Sequence, residues 1–480
     1  MTQLKVPVSG PTGVGMELKG KKVLVVGLGK SGLAAALFLR QRGAQVTVSD
    51  MRSAAALAKE IPALLERGIM VESGGHGLLT FRRQDLIVVS PGVPLDTPEL
   101  VQVKAFGLTV IGELELAAQF LKGKILAITG SNGKTTTTAL TGEILAAAGI
   151  ETQVGGNIGV PVVELIEKST DTGWSVLEVS SFQLESTQSF RPQIAVILNI
   201  TPDHLDRHGT FENYALAKER IFSTQTSSDW LVLNADNSRT AEAAIRSSAQ
   251  VVWFSLRESV SHGAWIENGE VIFRADADSP VERILPLTAI PLKGAHNVEN
   301  VLAAVCAARL AGAPANAVRK AIEDFRAVEH RLEYVITDNG VEYYNDSKAT
   351  NVDAAAKAIA AFPGCIHLIL GGKDKNSNYG DLADLLRKRV KAVYTIGSAA
   401  AKIESQIRGI VPIIPCETLD RAVAAARKAA RPRDIVLLSP ACSSFDQFEN
   451  YEHRGRVFKE LVLDRANAVT AETGKHGAKA

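Results

Sequence analysis

Short apolar runs alternate with helix-compatible stretches along almost the whole chain. Residues 22–26, 45–49, 85–90 and 108–111 read as buried strands, with 33–42 as the first intervening helix. The same rhythm returns at 124–128, 175–179, 194–198 and 230–233, with helices at 139–148, 211–222 and 298–310. It returns a third time at 366–370, 392–396 and 434–438. Strands that alternate with helices predict parallel, doubly wound sheets, so the fold class is α/β. A hairpin signal at Asn268-Gly269 breaks the rhythm inside the second set. The expected organisation is three domains, at 19–111, 112–314 and 315–468, with mobile ends at 1–18 and 469–480.

Composition narrows the function classes. The chain has 480 residues, 46% of them hydrophobic, which suffices for several cores. Its 53 basic and 52 acidic residues leave a net charge of +1, which speaks against a nucleic-acid or membrane-surface partner. Apolar runs fall short of the ~20 residues that a membrane span needs. The four cysteines are widely spaced and form no C-x-x-C, which fits buried thiols in a reducing cytoplasm rather than a disulfide or zinc framework.

The most telling stretch is Ala127-Ile-Thr-Gly-Ser-Asn-Gly-Lys-Thr-Thr-Thr-Thr138. A strand, a glycine turn, Lys-Thr and a helix form the arrangement that cradles a nucleoside triphosphate. Backbone N–H groups face the phosphates, Lys134 reaches the terminal ones, and Thr135 can hold Mg²⁺. Ile128 stands where the usual first glycine of such a loop would be, which points away from motor and switch NTPases. In the first domain, Gly27-Leu-Gly-Lys-Ser-Gly32 with Asp50 after the next strand matches a dinucleotide fingerprint. A uridine diphosphate would satisfy it equally well, so an NAD-linked reading stays open here.

Glu178 interrupts an apolar strand near its C-terminal end, where a buried carboxylate needs a cation or metal. The segment Asn199-Ile-Thr-Pro-Asp-His-Leu-Asp-Arg-His208 brings imidazole and carboxylates to the end of the next strand, a set that suits Mg²⁺ or Mn²⁺ better than zinc. Lys218 falls on an apolar helical stripe with Phe211, Tyr214 and Ile221. It either snorkels from the edge of that stripe or is consumed chemically, for example as a carbamate; the pattern alone favours snorkelling. The third domain offers Glu329-His-Arg-Leu-Glu333, Asn345-Asp-Ser-Lys-Ala-Thr-Asn351, Gly371-Gly-Lys-Asp-Lys375 and Ser439–Phe448. Helix capping accounts for Ser347, Thr350 and Asn351 but not for Asp346 and Lys348 together.

These motifs, in this order over about residues 18–466, resemble the Mur ligase family. The specific marks are Thr129–Thr135, Gly155-Gly-Asn-Ile-Gly159, Leu177–Glu185, Tyr214–Ile221, Gly294-x-His-Asn297, Asn345–Asn351 and Ser439–Phe448. The third-domain motifs resemble the branch that adds D-glutamate; the Asp-Asn-Pro-Arg of diamino-acid enzymes is absent from the sequence. The resemblance implies a Rossmann-like N-terminal domain, a central P-loop-type ATPase domain and an α/β C-terminal domain that binds the amino acid. It implies ATP-dependent addition of D-glutamate to UDP-N-acetylmuramoyl-L-alanine through an acyl phosphate, by a cytoplasmic monomer serving peptidoglycan synthesis.

By the same resemblance, Gly130, Ser131, Asn132, Gly133, Lys134, Thr135 and Thr136 bind ATP phosphates, joined by Asn297, Arg331 and Asp346. Two Mg²⁺ ions are implied at Thr135, Glu178, His204 and Lys218, the last as a CO₂-derived carbamate. Ser31, Asp50, Arg52, Gly92 and Asn157 resemble the uridine-nucleotide site. Lys348, Thr350, Lys375, Ser444 and Phe445 resemble the D-glutamate site. Lys134, His204, Lys218 and Lys348 are the expected catalytic residues.

Overall fold

The computed structural model describes residues 16–476, with side chains as far as 464. The first sheet is all parallel, in the order Met70–Ser73, Gln45–Asp50, Lys22–Val26, Leu86–Val89, Val110–Gly112. The chain steps outward in both directions from Lys22–Val26, so the crevice of this doubly wound sheet lies above that strand and Leu86–Val89. Both central strands are apolar and fully buried over Val23–Val26 and Leu86–Val89, as a sheet covered on both faces requires.

The second sheet has nine strands, ordered Glu282–Pro286, Glu270–Arg274, Gly263–Glu267, Gln250–Ser255, Trp230–Asn234, Ile194–Ile197, Lys124–Thr129, Trp174–Glu178, Thr152–Gly156. Lys124–Thr129 lies between Ile194–Ile197 and Trp174–Glu178, with Ile128 opposite Glu178 and Thr129 opposite Ile197. Three loops therefore leave the same sheet end side by side. The hairpin at Asn268-Gly269 forms as expected, antiparallel between Gly263–Glu267 and Glu270–Arg274.

A third sheet follows the order Glu333–Asp338, Val341–Asn345, Ile435–Leu438, Ile366–Gly371, Val390–Ile396, Ile413–Glu417. Its first pair is an antiparallel hairpin that the apolar pattern does not announce. Ile435–Leu438 and Ile366–Gly371 are central, so the loops after them face each other, closed by a bridge between Lys373 and Ser443.

The helix after the phosphate loop begins at Lys134, not at 139, because Gly133 in the left-handed region (φ 88) turns the chain straight into it. The helix Tyr451–His476 continues past 469. Residues 1–15 and 477–480, read as mobile ends, lie outside the described residues. Among the described residues, no helix is long and apolar enough to cross a membrane.

Candidate active site

The phosphate loop joins Lys124–Thr129 to the helix Lys134–Ala147. At Gly133 an added Cβ would lie 2.1 Å from Asn300 Oδ1, so position and φ both demand glycine. Asn199 fixes the loop reciprocally: its Oδ1 accepts from Asn132 N at 2.9 Å and its Nδ2 donates to Asn132 O at 3.1 Å. Ser131 Oγ donates to Thr201 O at 2.8 Å. Lys134 Nζ donates to Gly130 O at 2.8 Å and Ser131 O at 3.0 Å, holding its charge inside the loop. Burial is the main cause that lowers its pKa, with the Glu178 carboxylate opposing.

Glu178 is 1% exposed. Thr135 Oγ1 donates to its Oε2 at 2.8 Å and Asn157 Nδ2 to its Oε1 at 2.9 Å. Lys218 corrects the snorkelling expectation: it is 1% exposed, and Nζ turns inward to donate to Gly130 O at 2.8 Å. Its Nζ also lies 4.6 Å from the Tyr214 ring centroid. Burial, reinforced by the Lys134 charge, drives its pKa well below the usual lysine range. His204 starts a short helix in the left-handed region (φ 53, ψ 35) and packs edge-on against Phe182 at 4.9 Å. Burial pushes its imidazole down to about 4 despite the Asp203 carboxylate, leaving it a neutral nitrogen donor at pH 7. A buried carboxylate, a hydroxyl and one neutral imidazole are a donor set that fits Mg²⁺. The acidic group Glu329, His330 and Glu333 also has metal-ligand spacing, but Lys459 Nζ already pairs with Glu329 Oε1 at 2.5 Å and Glu333 Oε1 at 2.9 Å.

The first sheet's crevice opens into a cleft of ≈ 780 Å³. All five residues expected at the uridine site, Ser31, Asp50, Arg52, Gly92 and Asn157, line it, and His76 joins them. Asp50 Oδ2 accepts from Leu28 N at 2.6 Å and Arg52 Nη2 at 3.0 Å; Oδ1 accepts from Arg52 N at 2.8 Å and Arg52 Nε at 3.1 Å. Burial alone would raise its pKa, but these donors hold it below the usual carboxylate value. With four donors on one carboxylate, little acceptor capacity remains for the ribose diol of a dinucleotide, which weakens the NAD reading.

A smaller cavity of ≈ 60 Å³ lies between the second and third sheets. Asn132, Gly133, Thr136, Asn297, Arg331 and Asp346, all expected ATP contacts, line it, with Lys348 beside them. Arg331 crosses to the phosphate loop, Nη2 donating to Thr135 Oγ1. Asp346 is buried, and burial raises its carboxyl to about 7 although Ser439 Oγ donates to it at 2.9 Å. Lys348 Nζ sits 3.6 Å from the Tyr451 ring centroid, and burial brings its pKa down to about 7.

Thr350, Lys375, Ser444 and Phe445 line neither cavity. Ser444 is buried, whereas Phe445 is 68% exposed. Lys375 is close enough to help depress the His204 pKa, so its charge reaches that imidazole.

Two residues that the sequence singles out have partners it does not show. Arg454 is fully buried and donates to Ser347 O at 2.8 Å, Ser347 Oγ at 3.0 Å and Cys442 O at 3.1 Å, knitting the two third-domain loops together. Asn351 caps its helix on Ala354 N at 2.8 Å, as read, but its Nδ2 also donates to Asp203 Oδ2 at 3.0 Å across the domains. Only distant partners reveal either role, and local spacing carries no signal of them.

Comparison with known proteins places this geometry in a family. Residues 21–112 match the Mur ligase MurD-like N-terminal domain, 128–308 the Mur ligase middle domain, and 330–442 the Mur ligase glutamate ligase domain. A UDP-N-acetylmuramoylalanine--D-glutamate ligase of Acidobacterium capsulatum is 71% identical over 453 residues, covering 94% of this chain and 98% of that one. The ligase of the same description from Koribacter versatilis is 59% identical over 452 residues, covering 94% and 99%. Among solved structures, UDP-N-acetylmuramate-alanine ligase from Thermotoga maritima shares the fold at a TM-score of 0.58 and 21% identity, covering 93% of this chain and 100% of that one. The chain belongs to the Mur ligase family.

Proposed function

We propose that this chain is an ATP-dependent ligase that joins D-glutamate to UDP-N-acetylmuramoyl-L-alanine in peptidoglycan precursor synthesis, acting as a cytoplasmic monomer. The observation that carries the reading is the convergence on Thr135: the phosphate loop, the Glu178 carboxylate and Arg331 of the third sheet's domain meet at one hydroxyl. It joins the full-length likeness to D-glutamate ligases.

In this reading the uridine nucleotide lies in the 780 Å³ cleft, oriented by Ser31, Arg52, Gly92 and Asn157, with the Gly27–Gly32 turn close to its diphosphate. The cleft reaches Asn157, which also touches Glu178, so the far end of the substrate arrives at the phosphate loop. ATP's phosphates take Gly130–Thr136, and Lys134 and Arg331 neutralise the transferring group. Its adenosine end is held near Asn297 and the buried Asp346.

Thr135, Glu178, His204 and the Lys218 carbamate would hold two Mg²⁺ ions. When bound, they supply positive charge where phosphate and carboxylate, both anions, must approach. The Lys218 amine, once it has lost its ammonium proton, would add to CO₂ and release a second proton, giving an anionic carbamate. The substrate carboxylate then takes the γ-phosphoryl group, ADP leaves, and the D-glutamate amine displaces phosphate from the acyl phosphate. Lys348, with a pKa near 7, can take the proton that the attacking ammonium must lose. Thr350, Lys375 and Ser444 would hold the D-glutamate carboxylates, with Phe445 against its stem.

A phosphate-release assay with UDP-N-acetylmuramoyl-L-alanine and a panel of D- and L-amino acids tests the proposal. Phosphate should appear with D-glutamate; release driven by another amino acid, or none at all, would overturn it.

A further inference from the structure

The polar contacts between the second and third sheets converge on one residue that the motifs leave out. Asp353 stands in the first turn of the helix Val352–Ala360. Its Oδ2 accepts from Asn132 Nδ2 of the phosphate loop at 2.5 Å and from Thr201 Oγ1 at 3.2 Å, while Lys357 Nζ, one turn along the same helix, lies 3.0 Å away. Thr201 N is itself bound to Ser131 Oγ at 2.9 Å. One carboxylate oxygen thus ties two neighbouring loops of the ATP-binding sheet to the domain that carries Lys348. Asn351 makes the parallel crossing to Asp203, next to His204.

An acidic residue in a first helical turn has an ordinary explanation, favourable interaction with the helix dipole. That explanation requires no partner on another sheet. Asp353 has two such partners. Lys357 is positioned to hold the carboxylate turned toward the loop. The asparagine side chain at 132 adds only a donor to this contact, since its backbone is already fixed by Asn199. The crossing therefore senses whether the third domain is seated, without being needed to shape the loop.

Building on the ligase reading, we propose that Asp353 is a positioning residue: a clasp that locks the third domain against the nucleotide-loaded loop, through Asn132, and so brings Lys348 to the acyl phosphate. The intermediate is sensitive to water, and a clasp on the loop itself makes closure depend on the loop's state.

The test uses the full chain with Asp353→Ala, Asp353→Asn, Asn132→Ala and the Asp353→Ala/Asn132→Ala pair. For Asp353→Ala, the KM for ATP should rise and kcat fall, together lowering kcat/KM about 10- to 100-fold, the range for a hydrogen bond to a charged group. Asp353→Asn should fall between it and the parent. The double variant should be no worse than the more damaged single, because both remove one contact. X-ray scattering with a non-hydrolysable ATP analogue should show the parent contracting and Asp353→Ala remaining extended, with unchanged circular dichroism. Equal radii for parent and Asp353→Ala, or losses that multiply independently in the double variant, would overturn the clasp. A parent that contracts but never turns over D-glutamate would sink the ligase assignment while leaving the clasp supported.

Discussion

Lys218 Nζ and the Gly130 carbonyl, 88 residues apart in sequence, meet at 2.8 Å beneath the phosphate loop. A lysine that ends on a backbone carbonyl in a buried site keeps its position even when its charge is gone. In the proposed reaction that fixed amine is the group that would take up CO₂.

Substitution of Lys218 by alanine should lower phosphate release by about 10²–10³-fold, the scale of losing one preorganised electrostatic contact. Added formate or acetate should return part of the activity, because either can supply the missing carboxylate. Unchanged turnover in Lys218→Ala would refute the carbamate.

In the first domain, a Cβ on Gly32 would fall 1.9 Å from the Gly27 carbonyl oxygen, so the helix could not pack against the turn. Gly32→Ala should cost about 1–3 kcal/mol in urea unfolding, as overpacking does. Calorimetry should find UDP binding weakened and ATP binding preserved. Equal UDP affinity in variant and parent would remove the turn from the nucleotide site.

Glu113 gives a pH dependence with a definite sign. Its Oε1 accepts from Val163 N at 2.8 Å, its Oε2 is buried without a hydrogen-bond partner, and burial raises its carboxyl from 4.5 to about 7. Between those values the folded chain keeps a proton that the unfolded chain has lost, so stability falls as pH rises through this window. The contribution is on the order of 3 kcal/mol. Melting temperatures across this range should decline for the parent, and Glu113→Gln should flatten the decline. A parallel decline in the variant would assign it to other groups.

Arg331 is the cation that reaches Thr135 from outside the central sheet. Arg331→Ala should raise the KM for ATP about 10- to 100-fold, with UDP binding unaffected. Isothermal titration of each nucleotide separately measures both effects, and a loss shared by ATP and UDP would count against the assignment.

How far the site was legible depended on whether its constraints were local. The phosphate loop and the Gly27–Gly32 turn could be read from spacing, because backbone geometry alone demands glycine at Gly32 and Gly133. Strand Glu178 was legible because a charge in an apolar run is costly wherever the run is buried. Lys218 was half-legible: helical spacing identified its face, but the depth of its amine depends on Gly130, 88 residues earlier. The roles of Asp353 and Arg454 were not legible, since everything that distinguishes them lies on other segments. The strand Met70–Ser73 escaped notice because its edge position leaves both ends exposed and no apolar run.

The hairpin around Asn268-Gly269 lies at the other side of the nine-stranded sheet, with its two strands four and five places from Lys124–Thr129. At about 4.8 Å per strand that is roughly 20 Å from the reacting groups. A fluorophore grafted onto that turn would sit on the central sheet's far edge without intruding on catalysis, giving an optical reference against which any movement of the neighbouring domains during turnover can be timed.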